Sequence, residues 1–259
     1  VDQTKLLIKD ILLPKANFDI NPLLVSYNTH FSTKVGIRNL ARLISELDCE
    51  HVHLTVGPAT VKKIVNTTLN EIGDVYWHVQ IGIQAFATQV AVKLKVPLVF
   101  WPVNGWLDQV GKFSHHHNVE ITKKIWEEFS GRSFLQSDIL KSCEGLSNKD
   151  LIPFEYPSFE QIQSIGVRGI YLNNFIFWDS KIQTEKMMDL YGFESRLEER
   201  TFNYYETAHC WVNAGVQDFL KDIKFGYSKI HDHTARDIRL GRLNSEQGRT
   251  LIQFFQDKK

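Results

Sequence analysis

The order of apolar periodicities in the first hundred residues constrains the fold most. Residues 5–13 carry Leu6, Leu7, Ile11 and Leu12, a recurrence that gathers apolar side chains on one face of a helix. Pro14 closes the run, because proline interrupts a helix interior. After the Asn21-Pro22 turn, residues 23–25 read as a short buried strand. Helical spacing returns over 33–47 through Val35, Ile37, Leu40, Leu43, Ile44 and Leu47. A second strand is expected at 51–54, helices at 60–72 and 81–94, and a third strand at 97–101. Strands alternating with helices make a parallel sheet covered by helices, so the expected fold class is α/β. Ligands in such sheets bind outside the carboxyl ends of the strands. Those ends are Ser26-Tyr27-Asn28-Thr29, the loop around 55–58, and Pro102-Val103-Asn104-Gly105.

The second half reads as helical elaboration. Residues 106–170 are polar, with short helices expected at 120–129 and at 158–164, the latter capped by Ser158. The apolar run 169–178 is either a buried strand or a surface that meets a partner, and its aromatic end, Phe175-Ile176-Phe177-Trp178, suits core or partner surface better than a sugar platform. Further helices are expected at 182–191, closed by Gly192, at 209–225, and at 245–255 with Ser245 as N-cap. The division expected is an α/β core over 1–110 and a mostly helical extension over 111–259.

Composition enters by exclusion. Lys plus Arg and Asp plus Glu both total 30, so the basic excess of a phosphate-driven nucleic-acid binder is missing. Cys49, Cys143 and Cys210 include no CxxC pair, which leaves reduced thiols rather than a zinc ribbon or a disulfide framework. No apolar run is long enough to span a membrane, and no signal-peptide pattern opens the chain. The expectation is therefore a cytoplasmic protein with no membrane span and no nucleic-acid partner; a homo-oligomer is left open.

Several residues could carry chemistry. His231-Asp232-His233 sets a carboxylate beside imidazoles, a pairing suited to acid–base work near neutrality. Arg236, Arg239 and Arg242 recur every three residues, near one helical face, as would suit a phosphate or an acidic sugar. An Asp–Arg network fixing the C-terminal helices explains the same residues equally well. The His115-His116-His117 run is better read as a solvated loop than as a chelate, since adjacent histidines point apart, although one or two could ligate with Asp108 or Glu120. No resident transition metal is expected.

Four segments resemble one family. Val1-Asp2-Gln3-Thr4 before the first helix is similar to the tail of a Ser-Gly-Gly-x-Asp-Ser/Thr phosphate loop, with Gln3 where Ser is usual. Residues 22–43, 89–105 and 218–248 follow in order, and Lys224-Phe225-Gly226-Tyr227, Asp232-His233 and Asp237-Ile238-Arg239 are the most specific part. Together they resemble the N-acetyl sugar amidotransferases, a branch of the PP-loop ATP pyrophosphatases in bacterial lipopolysaccharide, O-antigen and flagellar-sugar biosynthesis. The resemblance implies a PP-loop core whose first strand and phosphate loop precede Val1, and the cofactors ATP and Mg²⁺. It also implies adenylation of an acetamido oxygen, followed by displacement of AMP by ammonia from a glutaminase partner. Asp2, Gln3, Thr4, Ser26, Tyr27, Asn28, Asn39 and Gly105 would bind the nucleotide. Asp2, Asn104, His231, Asp232 and His233 would be catalytic, and Lys224, Arg236, Arg239 and Arg242 would meet the sugar, free or nucleotide-linked. Pro102-Val103-Asn104 departs from the family's Gly-Glu-Asn, and residues 76–80 lack the usual Cys. These departures leave an altered substrate, a shifted residue such as Asp108, or weakened catalysis as alternatives. A thiolation-type PP-loop ligase and a catalytically degenerate binding protein are the competing functions.

Overall fold

The computed structural model describes residues 21–47, 49–101, 120–171, 175, 177, 179–205 and 212–256. It is an α/β protein. Among the described residues two small sheets form, one of β1 (Leu24–Tyr27) and β2 (His51–Leu54), the other of β3 (Leu98–Trp101), β4 (Glu120–Ile121) and β5 (Arg168–Tyr171). β1 and β2 run parallel, with Leu24 opposite His51 and Ser26 opposite His53. β5 lies between β3, to which it is parallel, and β4, to which it is antiparallel. The second sheet is therefore mixed rather than purely parallel. No helix among the described residues is long and apolar enough to cross a membrane.

Local sequence explains most element boundaries. Helix Pro58–Ile72 starts two residues before its expected start, because Pro58 is tolerated in the first turn, where its missing N–H has no helical partner. Gly73 ends that helix at φ 58°, and the N–H groups of Gly73 and Asp74 close on the carbonyls of Leu69 and Thr68. Ser158 caps helix Phe159–Ile165 as expected, its hydroxyl accepting from Gln161 N–H while Gln161 Oε1 accepts from Ser158 N–H. Helix Ser180–Tyr191 ends at Gly192, also as expected.

Three expectations are corrected. Residues 120–129 are not one helix: Glu120–Ile121 pairs with β5, Thr122 caps the short helix Lys123–Ile125, and a π-helical turn, Trp126–Ser130, follows. Pairing of Glu120 with the Arg168 guanidinium on the neighbouring strand favours the extended start. The N-cap of helix Ser245–Gln256 is Asn244, not Ser245. Its Oδ1 accepts from the N–H groups of Glu246 and Gln247, and Gln247 Oε1 accepts from Asn244 N–H. The helix ending at Phe225 begins at Ala214, because Val212 and Asn213 form a turn in which Val212 N–H donates to Phe31 O at 2.7 Å. The expected helix at 5–13 lies outside the described residues.

Contacts group the chain into two compact units. One comprises 6–30 and 44–178. Its core is built on helix Trp77–Leu94, which is buried nearly all round: Trp77, Val79, Ile81 and Ala85 pack with Tyr27, Val61, Ile64, Trp126, Ile139, Leu151 and Phe154. Each large apolar side chain so buried contributes about 1.5–3 kcal/mol. The indole N–H groups in this core are satisfied, Trp77 Nε1 donating to Phe134 O at 2.9 Å and Trp126 Nε1 to Ile81 O at 3.3 Å. The Tyr27 ring lies so close to this helix that a Cβ on Gly82 would sit 2.7–3.0 Å from three ring carbons.

The other unit comprises 1–5, 31–43 and 179–259. Thr33 opens helix Lys34–Leu47, its hydroxyl accepting from Gly36 N–H at 3.0 Å. On that helix Asn39, fully buried, donates from Nδ2 to Glu194 O and accepts from Glu194 N–H, both at 2.9 Å. Arg38 grips the Glu194 carboxylate and Arg42 reaches both that carboxylate and the Gly192 carbonyl. Helices Ala214–Phe225, Lys229–Arg239 and Ser245–Gln256 complete the unit.

Two stability effects follow. Gly82→Ala should lower the unfolding free energy by about 1–3 kcal/mol, because the added methyl drives the Tyr27 ring out of place. Asn39→Ala should cost about 1–3 kcal/mol by stripping both Glu194 backbone groups of their partner. Urea denaturation checks both, and an unchanged midpoint would contradict the corresponding contact.

Candidate functional site

The carboxyl ends of β1 and β2 meet at one edge. Asn28 N–H donates to Leu54 O at 2.8 Å, and Asn28 Nδ2 donates to Thr55 Oγ1 at 3.2 Å. Asn28 Oδ1 turns back to accept from His30 N–H at 2.8 Å. This local bond accompanies a positive φ of 64° at His30, unusual for a residue other than glycine. Asn28 thus forms the strand-end turn, and its side-chain amide is engaged by protein on both ends.

Adjacent β1 residues face opposite ways, as strand alternation requires. Tyr27 turns into the core, where its hydroxyl lies 3.0 Å from His78 Nδ1. Burial raises the Tyr27 pKa well above the ordinary tyrosine value. His78 is fully buried, and desolvation, reinforced by the charge of the neighbouring His30, pushes its pKa down to about 3. His30 is lowered too, by burial, although a hydrogen bond to the Val56 backbone opposes the shift. The Nε2 atoms of His30 and His78 are both buried and find no hydrogen-bond partner. Ser26 faces the other way, with Oγ 2.7 Å from both His51 Nε2 and His53 Nδ1.

The residues expected at the nucleotide are therefore split. Ser26 and Tyr27 on β1 and Asn28 just after it are together, but Tyr27 presents its ring to the core rather than to a ligand at the edge. Asn39 belongs to the other unit and holds Glu194. Asp2, Gln3, Thr4, Asn104 and Gly105 lie outside the described residues, as do Asp108, Cys210 and the 115–117 histidines.

His231, Asp232 and His233 follow one another on helix Lys229–Arg239 yet do not converge. His231 Nδ1 accepts from Ser228 N–H at 3.1 Å in a capping box, and its Nε2 lies 3.3 Å from Gln256. Asp232 pairs with Lys221. His233 is buried with Nδ1 2.8 Å from Thr201 Oγ1, and burial, with Lys229 and Arg236 nearby, pushes its pKa down to about 3. Successive helix positions are rotated by about 100°, so three neighbours face three partners.

The arginines also part company. The helix ends at Arg239, which is exposed, so Arg242 is not on the same helical face. Arg242 bonds Asp237 Oδ1 at 2.8 Å and the Asp179 carboxylate, while Tyr205 donates to Asp237 Oδ2. Burial alone would lower the Arg242 pKa, but the hydrogen bonds to Asp237 and Asp179 outweigh it and raise it. Asp179 also caps helix Ser180–Tyr191, accepting from Lys181 N–H at 3.0 Å. Arg236 is half-buried and Lys224 exposed. Of the aromatic run, Phe175 and Phe177 are exposed, which favours surface over core for these two.

His30, His51, His53 and His78 were not singled out as site residues from sequence. The available signal was the His-x-His alternation in a four-residue strand, which sets two imidazoles on one face. Among the described residues, no group of three or more His, Cys, Asp or Glu side chains converges as a metal cluster would. No protein-family model matches the chain, and a search of curated proteins found no match.

The buried histidines set a pH dependence. With folded pKa values near 3 for His78 and His233 and about 6.5 when unfolded, only the unfolded chain takes up these protons as pH falls from about 6.5 towards 3. Stability is therefore intact above about pH 6.5 and is lost below it, by up to about 1.4 kcal/mol per pH unit for each histidine. Urea midpoints should fall between pH 7 and pH 5, and His233→Gln should flatten the slope. A midpoint that stays constant over this range would show that neither histidine is held neutral.

Proposed function

We propose that the chain is an ATP-dependent amidotransferase that converts the acetamido group of a bacterial surface sugar into an acetamidino group. The observation that carries this reading is the parallel pairing of β1 with β2, which brings Asn28 and Thr55 to 3.2 Å at the strand edge where α/β sheets receive ligands. The choice of chemistry rests on the resemblance of residues 22–43, 89–105 and 218–248 to the N-acetyl sugar amidotransferases.

A nucleotide at this edge would meet the loops 28–30 and 55–57 rather than the Tyr27 ring, which is committed to the core, or the Asn28 amide, which is committed to the turn. ATP would supply the adenylyl group that makes the amide oxygen a leaving group, and Mg²⁺ would neutralise phosphate charge. The residues that the resemblance assigns to the phosphates and to activation, Asp2, Gln3, Thr4 and Asn104, lie outside the described residues. On the sugar side Lys224 and Arg239 are the exposed cations of the proposed set, whereas Arg242 is held by Asp237 and Asp179. Ammonia from a glutaminase partner completes the reaction: it forms the new C–N bond as the C–O bond to AMP breaks.

A second reading, a nucleotide-fold protein that binds without catalysis, is favoured by two observations. Pro102-Val103-Asn104 lacks the family's carboxylate, and His231, Asp232 and His233 bond to separate partners. A thiolation-type ligase would share the adenylation step and differ in product.

Full-length protein incubated with ATP, Mg²⁺, ammonium and a panel of acetamido sugars should release AMP and pyrophosphate only when the right sugar is present, with an acetamidino product by mass spectrometry. AMP release coupled to a sulfur-containing product would indicate the ligase, and absence of AMP with every acetamido sugar would leave the binding protein.

A further inference from the structure

We propose that His51 and His53, with Ser26 between them, form a two-imidazole chelate for a late first-row divalent cation, Zn²⁺ being the physiological candidate. The site is separate from the ATP chemistry proposed above and stands without it. Strand alternation places His51 and His53 on the same face of β2, and the parallel register sets Ser26 of β1 directly opposite His53. The distal nitrogen of one ring and the proximal nitrogen of the other are aimed at a single point, Ser26 Oγ, at 2.7 Å each. The ring centroids are 5.5 Å apart. Two imidazole nitrogens converging on one small atom from alternate positions of a strand have the arrangement of a bidentate metal site.

The hydroxyl is an imperfect occupant of that point. It carries one proton, so it can donate to only one of the two rings, and the other ring must present an N–H to it. A cation accepts lone pairs from both nitrogens at once, at about 2.0–2.1 Å. Rotation of Ser26 to another staggered χ1 well clears the point, because serine has a single small γ atom. The hydroxyl then remains beside the ion as a weak ligand or as a hydrogen-bond partner to a bound water. His51 is half-buried and His53 exposed, which leaves room for water in the remaining coordination positions. Imidazole donors select Zn²⁺, Cu²⁺ and Ni²⁺ over Mg²⁺ and Ca²⁺, so the ion would not compete with the Mg²⁺ of an ATP reaction. Because the two histidines belong to β2 and Ser26 to β1, an ion that keeps the Ser26 hydroxyl beside it would tie the two strands.

The test uses the full chain, stripped of metal and freed of chelator. Calorimetric titration with Zn²⁺ should show a single equivalent that excess Mg²⁺ leaves undisturbed. Cu²⁺ loaded in its place should give an electron paramagnetic resonance spectrum with two coupled nitrogens. His51→Ala and His53→Ala should each weaken Zn²⁺ binding by about tenfold or more and remove one nitrogen from the copper spectrum, whereas Ser26→Ala should cost about tenfold or less. Circular dichroism identical to the parent confirms that the variants fold. Absence of Zn²⁺ uptake by the parent overturns the proposal. So does uptake that persists in the His51→Ala/His53→Ala double variant, or that vanishes instead when His115, His116 and His117 are replaced by alanine.

Discussion

The unit built from 6–30 and 44–178 depends on the approach of the Tyr27 ring to Gly82. That approach leaves no space for a Cβ, and it brings the tyrosine hydroxyl to His78, one turn earlier on the same helix. Helix Trp77–Leu94 is the element around which the core assembles, so the position of β1 against it sets where the carboxyl ends of β1 and β2 emerge. A buried hydroxyl–imidazole pair keeps this contact from being a purely apolar one. Desolvation holds the imidazole neutral, which lets a polar pair sit in the core without burying a charge. The two unpartnered Nε2 atoms of His30 and His78 lie behind the same strand end, where the polarity exceeds what packing alone requires.

In the unit containing 31–43 and 179–259 a set of ionic and amide bonds joins the described residues. Asn39 clamps the Glu194 backbone, Arg38 and Arg42 clamp its carboxylate, and Arg242 joins Asp237 to the cap residue Asp179. Arg200 does the same for Asp218, whose other oxygen accepts from Lys229 N–H. Networks of this kind orient helices by direction as well as by distance, because guanidinium and carboxylate meet in a fixed planar geometry. The segment with the most specific family resemblance, 224–242, supplies much of this network. Residues that look catalytic by type, such as His233 and Arg242, have polar atoms that the fold itself uses. Lys224 and Arg239 of the same segment are exposed.

The two faces of β1 illustrate how one four-residue strand divides its tasks. Tyr27 packs into the core around helix Trp77–Leu94, while Ser26, on the opposite face, is engaged by the histidines of its neighbour. The strand end itself, Asn28 to His30, is spent on a turn with a positive φ.

Read alone, the sequence determined what neighbouring residues decide among themselves. Apolar periodicity located β1, β2, β3 and the helices beginning at Lys34, Pro58 and Ser180 to within a few residues, and Ser158 and Gly192 marked their helix ends, because spacing and capping act over three or four positions. It did not determine the choice of Asn244 over Ser245 as a cap, since both residue types cap well and only backbone geometry selects between them. The extended start at Glu120 depended on Arg168, 48 residues away, and the role of Asn39 on Glu194, 155 residues away. The convergence of Ser26, His51 and His53 depended on a register between two strands that no local pattern encodes. Such pairings arise when loop closure and packing bring distant segments together, so the residue types were visible from the start but their partners, and with them the candidate site, were decided by tertiary structure.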